Sequence, residues 1–120
     1  MAAVLLIEDE TLIRMMIADM LVELGHEVAG EASDLGSGLA MAMSAECDAA
    51  ILDLQLGRDS SEAIAEALQL RGIPFVFASG YGADGIPEQF NGRPLLQKPF
   101  PLDALDHCMG TLLGQGSNAD

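Results

Sequence analysis

Short, fully apolar runs alternate along this chain with longer stretches in which apolar residues recur at helical spacing. Residues 4–7 form a continuous apolar run, which is typical of a strand buried on both faces. In residues 11–24 the apolar positions repeat with the period of a helix, and Gly25 follows as a helix stop. The alternation predicts further strands at residues 27–32, 49–52, 75–78 and 95–96, and further helices at residues 34–44, 60–71 and 102–113. Such an alternation predicts an α/β fold, with a parallel sheet covered by helices on both faces.

The length and composition of the chain fit one domain. Its 120 residues leave no room for a second domain of ordinary size. Half of the residues are apolar, so a domain of this size buries a sufficient core without disulfides or metal staples. Gly114 begins a small, polar end segment. We therefore expect a single domain over residues 1–114 and a disordered tail over residues 115–120.

The charge balance excludes several classes of partner. The net charge is −14, from 19 acidic and five basic residues, which disfavours binding to nucleic acid and to anionic membrane surfaces. Cys47 and Cys108 are far apart and have no metal-ligand spacing, which indicates two buried free thiols. The chain shows no signal peptide and no apolar run long enough to span a bilayer. We expect a protein of the reducing cytoplasm with no nucleic-acid or membrane partner.

Polar residues stand where the predicted strands end. Glu8 and Asp9 follow the first strand, Asp53 ends the third, Ser79 follows the fourth, and Lys98 follows the fifth. The carboxyl ends of parallel strands lie at one edge of the sheet, where α/β proteins bind their ligands. The sequence therefore predicts that side chains from four separate segments converge at one site.

This set of residues favours phosphoryl chemistry assisted by magnesium. Carboxylates that are brought together repel one another, and a hard divalent cation such as Mg²⁺ relieves that repulsion. A carboxylate in such a site, here Asp53, can attack phosphorus and form an aspartyl phosphate. Lys98 is the only lysine of the chain and supplies a positive charge for a phosphoryl oxygen, and Ser79 supplies a hydroxyl donor. Each residue alone has an ordinary structural explanation, and it is their combination that indicates a site.

Four motifs in this order resemble those of bacterial response-regulator receiver domains, and the resemblance covers nearly the whole chain. The motifs are Ile7-Glu8-Asp9-Glu10, Ile51-Leu52-Asp53-Leu54, Phe77-Ala78-Ser79-Gly80 and Lys98-Pro99-Phe100. The resemblance implies a flavodoxin-like, doubly wound sheet of five parallel strands in the order 2-1-3-4-5. It also implies a switch or phosphorelay component of two-component signalling that receives its phosphoryl group from a phosphohistidine. The donor would be a sensor histidine kinase or a histidine phosphotransfer protein.

The resemblance also assigns a role to each site residue. Asp53 would be the phosphoacceptor, Ser79 the switch hydroxyl and Lys98 the phosphoryl-binding lysine. The Mg²⁺ ligands would be Glu8, Asp9, Asp53 and the backbone carbonyl of Gln55. Such a domain is not an enzyme in the usual sense, because it promotes only its own phosphorylation and dephosphorylation.

A narrower likeness lies in residues 74–82, which read Pro-Phe-Val-Phe-Ala-Ser-Gly-Tyr-Gly. This segment is similar to the stand-alone alphaproteobacterial receivers named for a Phe-Ala-Thr-Gly-Tyr motif, with Ser79 in place of the threonine. The likeness implies a phosphorelay component in stress signalling.

The sequence departs from the receiver pattern in three places. Leu95 stands where most receivers have an aromatic residue, and residues 56–60 lack the usual proline and Asp-Gly turn after the acceptor. Residues 80–94 contain four glycines and two prolines, so the fourth helix is expected to be short or irregular. That segment is either a surface loop or a functional lid. Our hypothesis is that Tyr81, or ordering of residues 80–94, replaces the missing aromatic switch, which would change amide dynamics in residues 82–92 on phosphorylation.

The first helix carries more apolar surface than a core requires. Leu12, Met15 and Val22 lie outside the apolar face that would pack on the core. They are either scattered surface residues or a docking patch for a kinase or phosphotransfer helix. We favour the docking patch.

Two other functions are compatible with an α/β fold of this kind. A flavodoxin-like cofactor binder needs a phosphate-cradling loop after the first strand, and residues 8–10 are acidic there. The alternative function is a pseudo-receiver that binds partners without phosphorylation.

Overall fold

The computed structural model describes residues 2–80, 86–90 and 92–117, with side chains up to Gly114. Its elements in chain order are β1 (Ala3–Ile7), α1 (Thr11–Glu23), β2 (Glu27–Ala32), α2 (Leu35–Ser44), β3 (Ala49–Asp53), β4 (Gln55–Leu56), β5 (Asp59–Ser60), α3 (Glu62–Leu70), β6 (Phe75–Ser79), the 3₁₀ helix η1 (Glu88–Phe90), β7 (Leu95–Gln97) and α4 (Leu102–Ser117).

Five parallel strands form one sheet in the order β2-β1-β3-β6-β7. If the short strands β4 and β5 are set aside, this is the predicted order 2-1-3-4-5, which is confirmed. The register aligns Ile7 with Leu52 and Asp53 with Ala78, so the ends of β1, β3 and β6 lie next to one another. Parallel pairing requires a crossover between strands, and the amphipathic helices supply it.

Two apolar layers cover the sheet, and the strands show why. In β1, Val4 and Leu6 belong to one core cluster while Leu5 and Ile7 belong to the other, as expected when successive side chains point to opposite faces. The first cluster includes buried residues of α1 and α4. The second includes buried residues of α2, α3 and η1. The uninterrupted apolar runs of the sequence are therefore strands buried on both sides.

A small hairpin between β3 and α3 has no counterpart in the sequence prediction. Strands β4 and β5 pair antiparallel, with Gln55 opposite Ser60 and Leu56 opposite Asp59. Gly57 in the turn has a φ of 63°, a conformation that glycine adopts without the penalty of a Cβ. The hairpin returns directly to the start of α3, where the backbone N–H and the hydroxyl of Ser61 both donate to the carbonyl of Leu54.

The last helix is longer than expected. The sequence predicts an end at residue 113, whereas α4 continues to Ser117. The expected boundary between the domain and a tail at residue 114 therefore falls inside this helix, and residues 118–120 lie outside the described residues.

The segment between β6 and β7 contains no α-helix among its described residues, which are residue 80, residues 86–90 and residues 92–94. Only η1 is helical there, in agreement with the expected short or irregular fourth helix. Phe90 of η1 is completely buried and contacts the rings of Phe75 and Phe77 edge-on, with ring centroids 5.7 and 5.8 Å apart. Tyr81 and residues 82–85, on which the switch hypothesis depends, lie outside the described residues.

Across the described ranges, no helix has both the length and the apolar character needed to cross a membrane.

Candidate functional site

Burial of polar groups marks one edge of the sheet. Four polar or charged residues are buried in the part of the chain that the structure describes, and three of them lie at the carboxyl ends of the strands. These are Glu8 after β1, Asp53 in β3 and Ser79 in β6, with exposed fractions of 1%, 7% and 3%. Burying carboxylates is unfavourable unless charges or hydrogen bonds compensate. Stability therefore does not explain why these polar groups are buried at this edge, and a functional role does.

The predicted acidic residues do come together. One carboxylate oxygen each from Glu8, Asp9 and Asp53 lie within 4.8 Å of one another. Ile7 and Leu52 are aligned in the sheet, so the residues that follow them meet at adjacent strand ends. Parallel alignment of β1 and β3 thus produces the cluster.

Lys98 reaches the cluster from the other side. Its Nζ donates to Oε1 of Glu8 at 2.9 Å and to Oδ2 of Asp53 at 3.4 Å. Its backbone N–H donates to the carbonyl of Ser79 at 2.8 Å, which places Ser79 and Lys98 next to each other. The Lys98–Pro99 peptide bond is cis.

The hairpin after β3 holds Asp9 in place. The backbone N–H of Gly57 donates to Oδ2 of Asp9 at 2.9 Å. The β4–β5 turn therefore supplies a backbone donor, and the departure of residues 56–60 from the receiver pattern has a structural role. Sequence reasoning missed this contact, and the glycine of the turn was its only signal.

Arg14 was also missed. Its guanidinium donates to the backbone carbonyl of Glu8 at 3.0 Å and forms an ion pair with Glu31 of β2 at 3.2 Å. The side chain thereby ties α1 and β2 to the backbone that carries Glu8 and Asp9. An arginine in the first turns of a helix gives no sequence signal for this role.

The cluster shifts the pKa values of its members. Burial raises the pKa of Asp53 to about 7, and a hydrogen bond and charge repulsion from Glu8 add to that effect, while Lys98 opposes it. Burial acts in the same direction on Asp9, but hydrogen bonds from Gly57 and within the cluster lower the pKa of Asp9 overall. Burial opposes the charge on Lys98, yet Glu8 and Asp53 raise its pKa. The charged form of Asp53 is therefore less favoured than that of Asp9.

A cleft opens beside these groups. It has a volume of about 840 Å³, and Asp9, Asp53, Ser79, Lys98 and Gln55 are among the residues that line it. The structure therefore brings together at one cleft every predicted site residue apart from Glu8, which belongs to the acidic cluster but does not line the cleft, and Tyr81, which is outside the described residues.

The donor set fits a hard divalent cation. Three carboxylates face one ammonium group, which leaves an excess of negative charge when all are ionised. Oxygen donors of this kind are the ligands that Mg²⁺ prefers, and Mg²⁺ commonly uses one or two protein carboxylates and retains waters. The open cleft beside Asp9 and Asp53 leaves space for those waters.

The pKa of Asp53 predicts how the stability of the metal-free protein depends on pH. The folded state holds a proton on Asp53 up to a pKa of about 7, above the ordinary value of 3.8, so folding stability falls as pH rises through this window. Three pKa units correspond to at most about 4 kcal/mol, and sharing of charge within the cluster reduces the expected loss to about 1–3 kcal/mol. We expect the Asp53→Asn variant to gain that stability relative to wild type between about pH 4 and about pH 7, measured by urea denaturation with a chelator present.

Asp106→Asn is the matched control. Asp106 is exposed on α4, and its replacement by asparagine removes the same charge at a position outside the cluster. For the control, the difference in the free energy of unfolding from wild type should stay constant across this pH range. A constant difference for Asp53→Asn as well would contradict the raised pKa of Asp53.

Two solved structures share this fold and enough sequence to indicate a family. The chain is 41% identical to SdrG from Sphingomonas melonis Fr1, with a TM-score of 0.84, and the match covers 94% of this chain and 97% of SdrG. It is 28% identical to the REC domain of the PhyR response regulator from Erythrobacter litoralis, with a TM-score of 0.78 over 94% of this chain and 90% of that one. The chain belongs to the response-regulator receiver-domain family. The receiver domain is a component of two-component signalling, and the predicted Phe-Ala-Thr-Gly-Tyr subgroup fits its similarity to SdrG and PhyR.

Further similarities agree with this assignment. The receiver domain is 34% identical over 106 residues to the transcriptional regulatory protein PdtaR of Mycobacterium tuberculosis, a match that covers 85% of this chain. It spans about half the length (52%) of that curated relative. A receiver domain of the sensor histidine kinase PA1611 from Pseudomonas aeruginosa, solved with a magnesium ion in its active-site cleft, shares the fold at 22% identity and a TM-score of 0.80, over 94% of this chain and 98% of that one. A scan against protein-family models finds no match.

Proposed function

We propose that this receiver domain accepts a phosphoryl group on Asp53, with Mg²⁺ bound at the acidic cluster, and acts as a phosphorylation-controlled switch or phosphorelay component. The observation that carries the proposal is the position of Asp53. It is a buried carboxylate that lines an open cleft, within 4.8 Å of two other carboxylate oxygens and 3.4 Å from the only lysine of the chain. Such a constellation is costly to fold and suits transfer of an anionic group.

The phosphoryl donor in this proposal is a phosphohistidine. An oxygen of the Asp53 carboxylate attacks phosphorus, the P–N bond breaks, and its electron pair returns to the imidazole, which then takes up a proton. Mg²⁺ held by the carboxylates of the acidic cluster would neutralise the charge on the phosphoryl oxygens and on the carboxylates. Its charge would also favour the ionised form of Asp53, whose pKa is raised to about 7 in the metal-free protein.

Two side chains of the cleft would hold the phosphoryl group once it is bound. The Lys98 ammonium is already beside Asp53 and would bind one phosphoryl oxygen as a point charge. The buried Ser79 borders the same cleft and would donate its hydroxyl to another oxygen. Lys98 and Ser79 both stand at strand ends that the sheet holds in place. Their side chains would therefore need little further ordering when the phosphoryl group binds.

Two solved receiver structures support the proposed use of Mg²⁺ and of a phosphoryl group. The PA1611 receiver holds magnesium in its active-site cleft, and SdrG has been solved in a BeF₃-activated conformation, in a structure 40% identical to this chain. We propose by analogy that this receiver domain uses Mg²⁺ and that its output belongs to a stress-signalling phosphorelay. In this proposal it promotes only its own phosphorylation and dephosphorylation.

The experiment that tests this function is intact-protein mass spectrometry after incubation with acetyl phosphate and Mg²⁺. We expect one added phosphoryl group, and none when a chelator replaces the metal. Because an acyl phosphate is labile, the same protein is also titrated with beryllofluoride and followed by amide NMR. Silence in both measurements would reject phosphoryl acceptance and favour the alternative, a pseudo-receiver that binds partners without phosphorylation.

The partner in this proposal is a sensor histidine kinase or a histidine phosphotransfer protein that docks on α1. Leu12 and Met15 are 81% and 56% exposed on this helix, and Met16 and Val22 are exposed as well. Met16 also borders the cleft that contains Asp53. The apolar surface thus runs from the helix to the phosphoryl site, as a docking partner that delivers a phosphoryl group would require.

Replacing Leu12 and Met15 together by glutamine should slow phosphotransfer from the partner about tenfold or more, since each lost apolar contact contributes about 1 kcal/mol or more to docking. Labelling by acetyl phosphate should be unchanged, because a small donor needs no docking surface. The rates are measured by radiolabel transfer. Leu70→Gln is the control, since Leu70 is 89% exposed on α3. Equal slowing with both donors would rule out docking on α1.

A further inference from the structure

Four of the five basic side chains of the protein already have partners within the fold. Arg14 and Lys98 form ion pairs with carboxylates, and Arg71 donates at 2.8 Å to two backbone carbonyls at the C-terminal end of α2. Arg93 lies 4.8 Å above the centre of a phenylalanine ring of β6. Across the part of the chain that the structure describes, Arg58 is the basic residue whose side chain makes no hydrogen bond, ion pair or ring contact. The fold therefore does not use the charge of Arg58 for its own stability.

The β4–β5 hairpin places Arg58 at the cleft that contains Asp53. Arg58 is exposed, follows Gly57 in the turn, and lines this cleft. Ser60, two residues further along, lines the same cleft, whereas Asp59 between them does not. Successive side chains of an extended chain point to opposite sides, so this alternation directs Arg58 toward the cleft and Asp59 away from it.

The charges that line the cleft make an unengaged cation useful there. The acidic lining residues are Asp9, Glu10 and Asp53, and the basic ones are Lys98 and Arg58. Lys98 is already paired with carboxylates of the acidic cluster, and the chain as a whole has a net charge of −14. An anionic phosphoryl donor would be repelled by such a surface. A guanidinium offers several donors in one plane, which suits the oxygens of a phosphoryl group.

We propose that Arg58 is a substrate-recognition residue, whose guanidinium binds the phosphoryl group of the incoming donor at the opening of the cleft before transfer to Asp53. The inference rests on the proposed function and adds to it the group that recognises the donor. The ligand chemistry is an anionic phosphoryl group, carried either by a small acyl phosphate or by a phosphohistidine. Because the contact precedes transfer, it lowers the donor concentration that gives the half-maximal rate and leaves the maximal rate unchanged.

Binding is tested without transfer by titrating inorganic phosphate into the protein with Mg²⁺ at constant ionic strength, followed by amide NMR. We expect saturable shifts in residues 57–60 of wild type, and a dissociation constant about fivefold higher in Arg58→Gln. Arg58→Lys keeps the charge and should recover part of this affinity, and Asp59→Asn should bind as wild type does. Equal affinity in wild type and Arg58→Gln, or no binding to wild type, would overturn the proposal.

Transfer is tested by intact-protein mass against time at several concentrations of acetyl phosphate and of phosphoramidate, whose P–N bond resembles that of phosphohistidine. At limiting concentrations, Arg58→Gln should be labelled about fivefold more slowly than wild type with both donors, with the same maximal rate. Slowing with acetyl phosphate alone would place the contact on the acyl group and overturn the proposal.

Asp59→Asn separates a contact from a general effect of charge, because it alters the net charge by one unit at the neighbouring residue, which does not line the cleft. Faster labelling of Asp59→Asn, by a factor similar to the slowing in Arg58→Gln, would mean that the overall field of the hairpin sets the rate, which would overturn the proposal. If neither donor labelled wild type, the proposed function would fail, and the phosphate titration alone would decide whether Arg58 binds the anion.

Discussion

Replacing Asp53 by asparagine is expected to abolish acceptance of a phosphoryl group, with labelling by acetyl phosphate and Mg²⁺ reduced at least about 100-fold. The amide lacks the negative charge and the nucleophilic oxygen that form the acyl phosphate. It also removes one of the three carboxylates of the acidic cluster, so the nucleophile and part of the proposed metal site would both be lost. The measurement is intact-protein mass against time, with wild type processed in parallel.

Asp59→Asn is the matched control for that experiment. Asp59 is an exposed aspartate in β5 of the neighbouring hairpin, and its replacement changes the charge equally while leaving the cluster intact, so labelling should remain at the wild-type rate. A phosphoryl group still acquired by Asp53→Asn would show that another carboxylate is the acceptor. Asp9 would then be the first to test, since it lies in the same cluster and borders the same cleft.

Replacing Phe90 by alanine is expected to lower the free energy of unfolding by about 3–5 kcal/mol, the usual range for truncating a buried phenylalanine. Phe90 is completely buried, contacts Phe75 and Phe77 edge-on, and has the Arg93 guanidinium 5.9 Å from its ring centroid. Its loss would leave a cavity against β6, the strand that carries Ser79. The measurement is urea denaturation followed by far-ultraviolet circular dichroism.

Leu70→Ala is the control for this truncation, because Leu70 is 89% exposed on α3 and should change stability by less than about 0.5 kcal/mol. Phe90→Leu should lie between wild type and Phe90→Ala, because leucine fills part of the cavity. A loss of less than about 1 kcal/mol in Phe90→Ala would mean that η1 is not packed as described.

This expectation bears on how the segment between β6 and β7 is held in place, where the described residues form η1 and no α-helix. Phe90 fixes η1 to the core beside β6, and the Gln89 amide donates to Glu62 at 2.8 Å and to Glu66 at 3.0 Å on α3. These two glutamates are four residues apart on one helix face, where like charges repel, and the shared amide relieves that repulsion. The described end of the segment between β6 and β7 is therefore attached to both the sheet and α3.

The sequence by itself determined the fold class and the edge at which the site lies, and its resemblance to the receiver family supplied the strand order. Uninterrupted apolar runs such as residues 4–7 indicate strands buried on both faces, and parallel pairing then brings the residues after each strand to one edge. The identities of Asp53, Ser79 and Lys98 follow from that placement together with the family motifs. These features are local or periodic, which is why a single sequence reveals them.

Only the tertiary structure decided which of these groups touch. The Lys98–Glu8 pair joins residues 90 positions apart, and the Gly57–Asp9 hydrogen bond joins residues 48 apart. Such contacts depend on the register of the strands and on the geometry of the β4–β5 turn, which no local pattern encodes. The same is true of Phe90, an aromatic residue in a glycine- and proline-rich stretch, whose burial depends on the space that Phe75 and Phe77 leave beside β6. The sequence thus specified the chemical groups at the site, and packing at the ends of the strands decided that Lys98 is held by Glu8 beside Asp53.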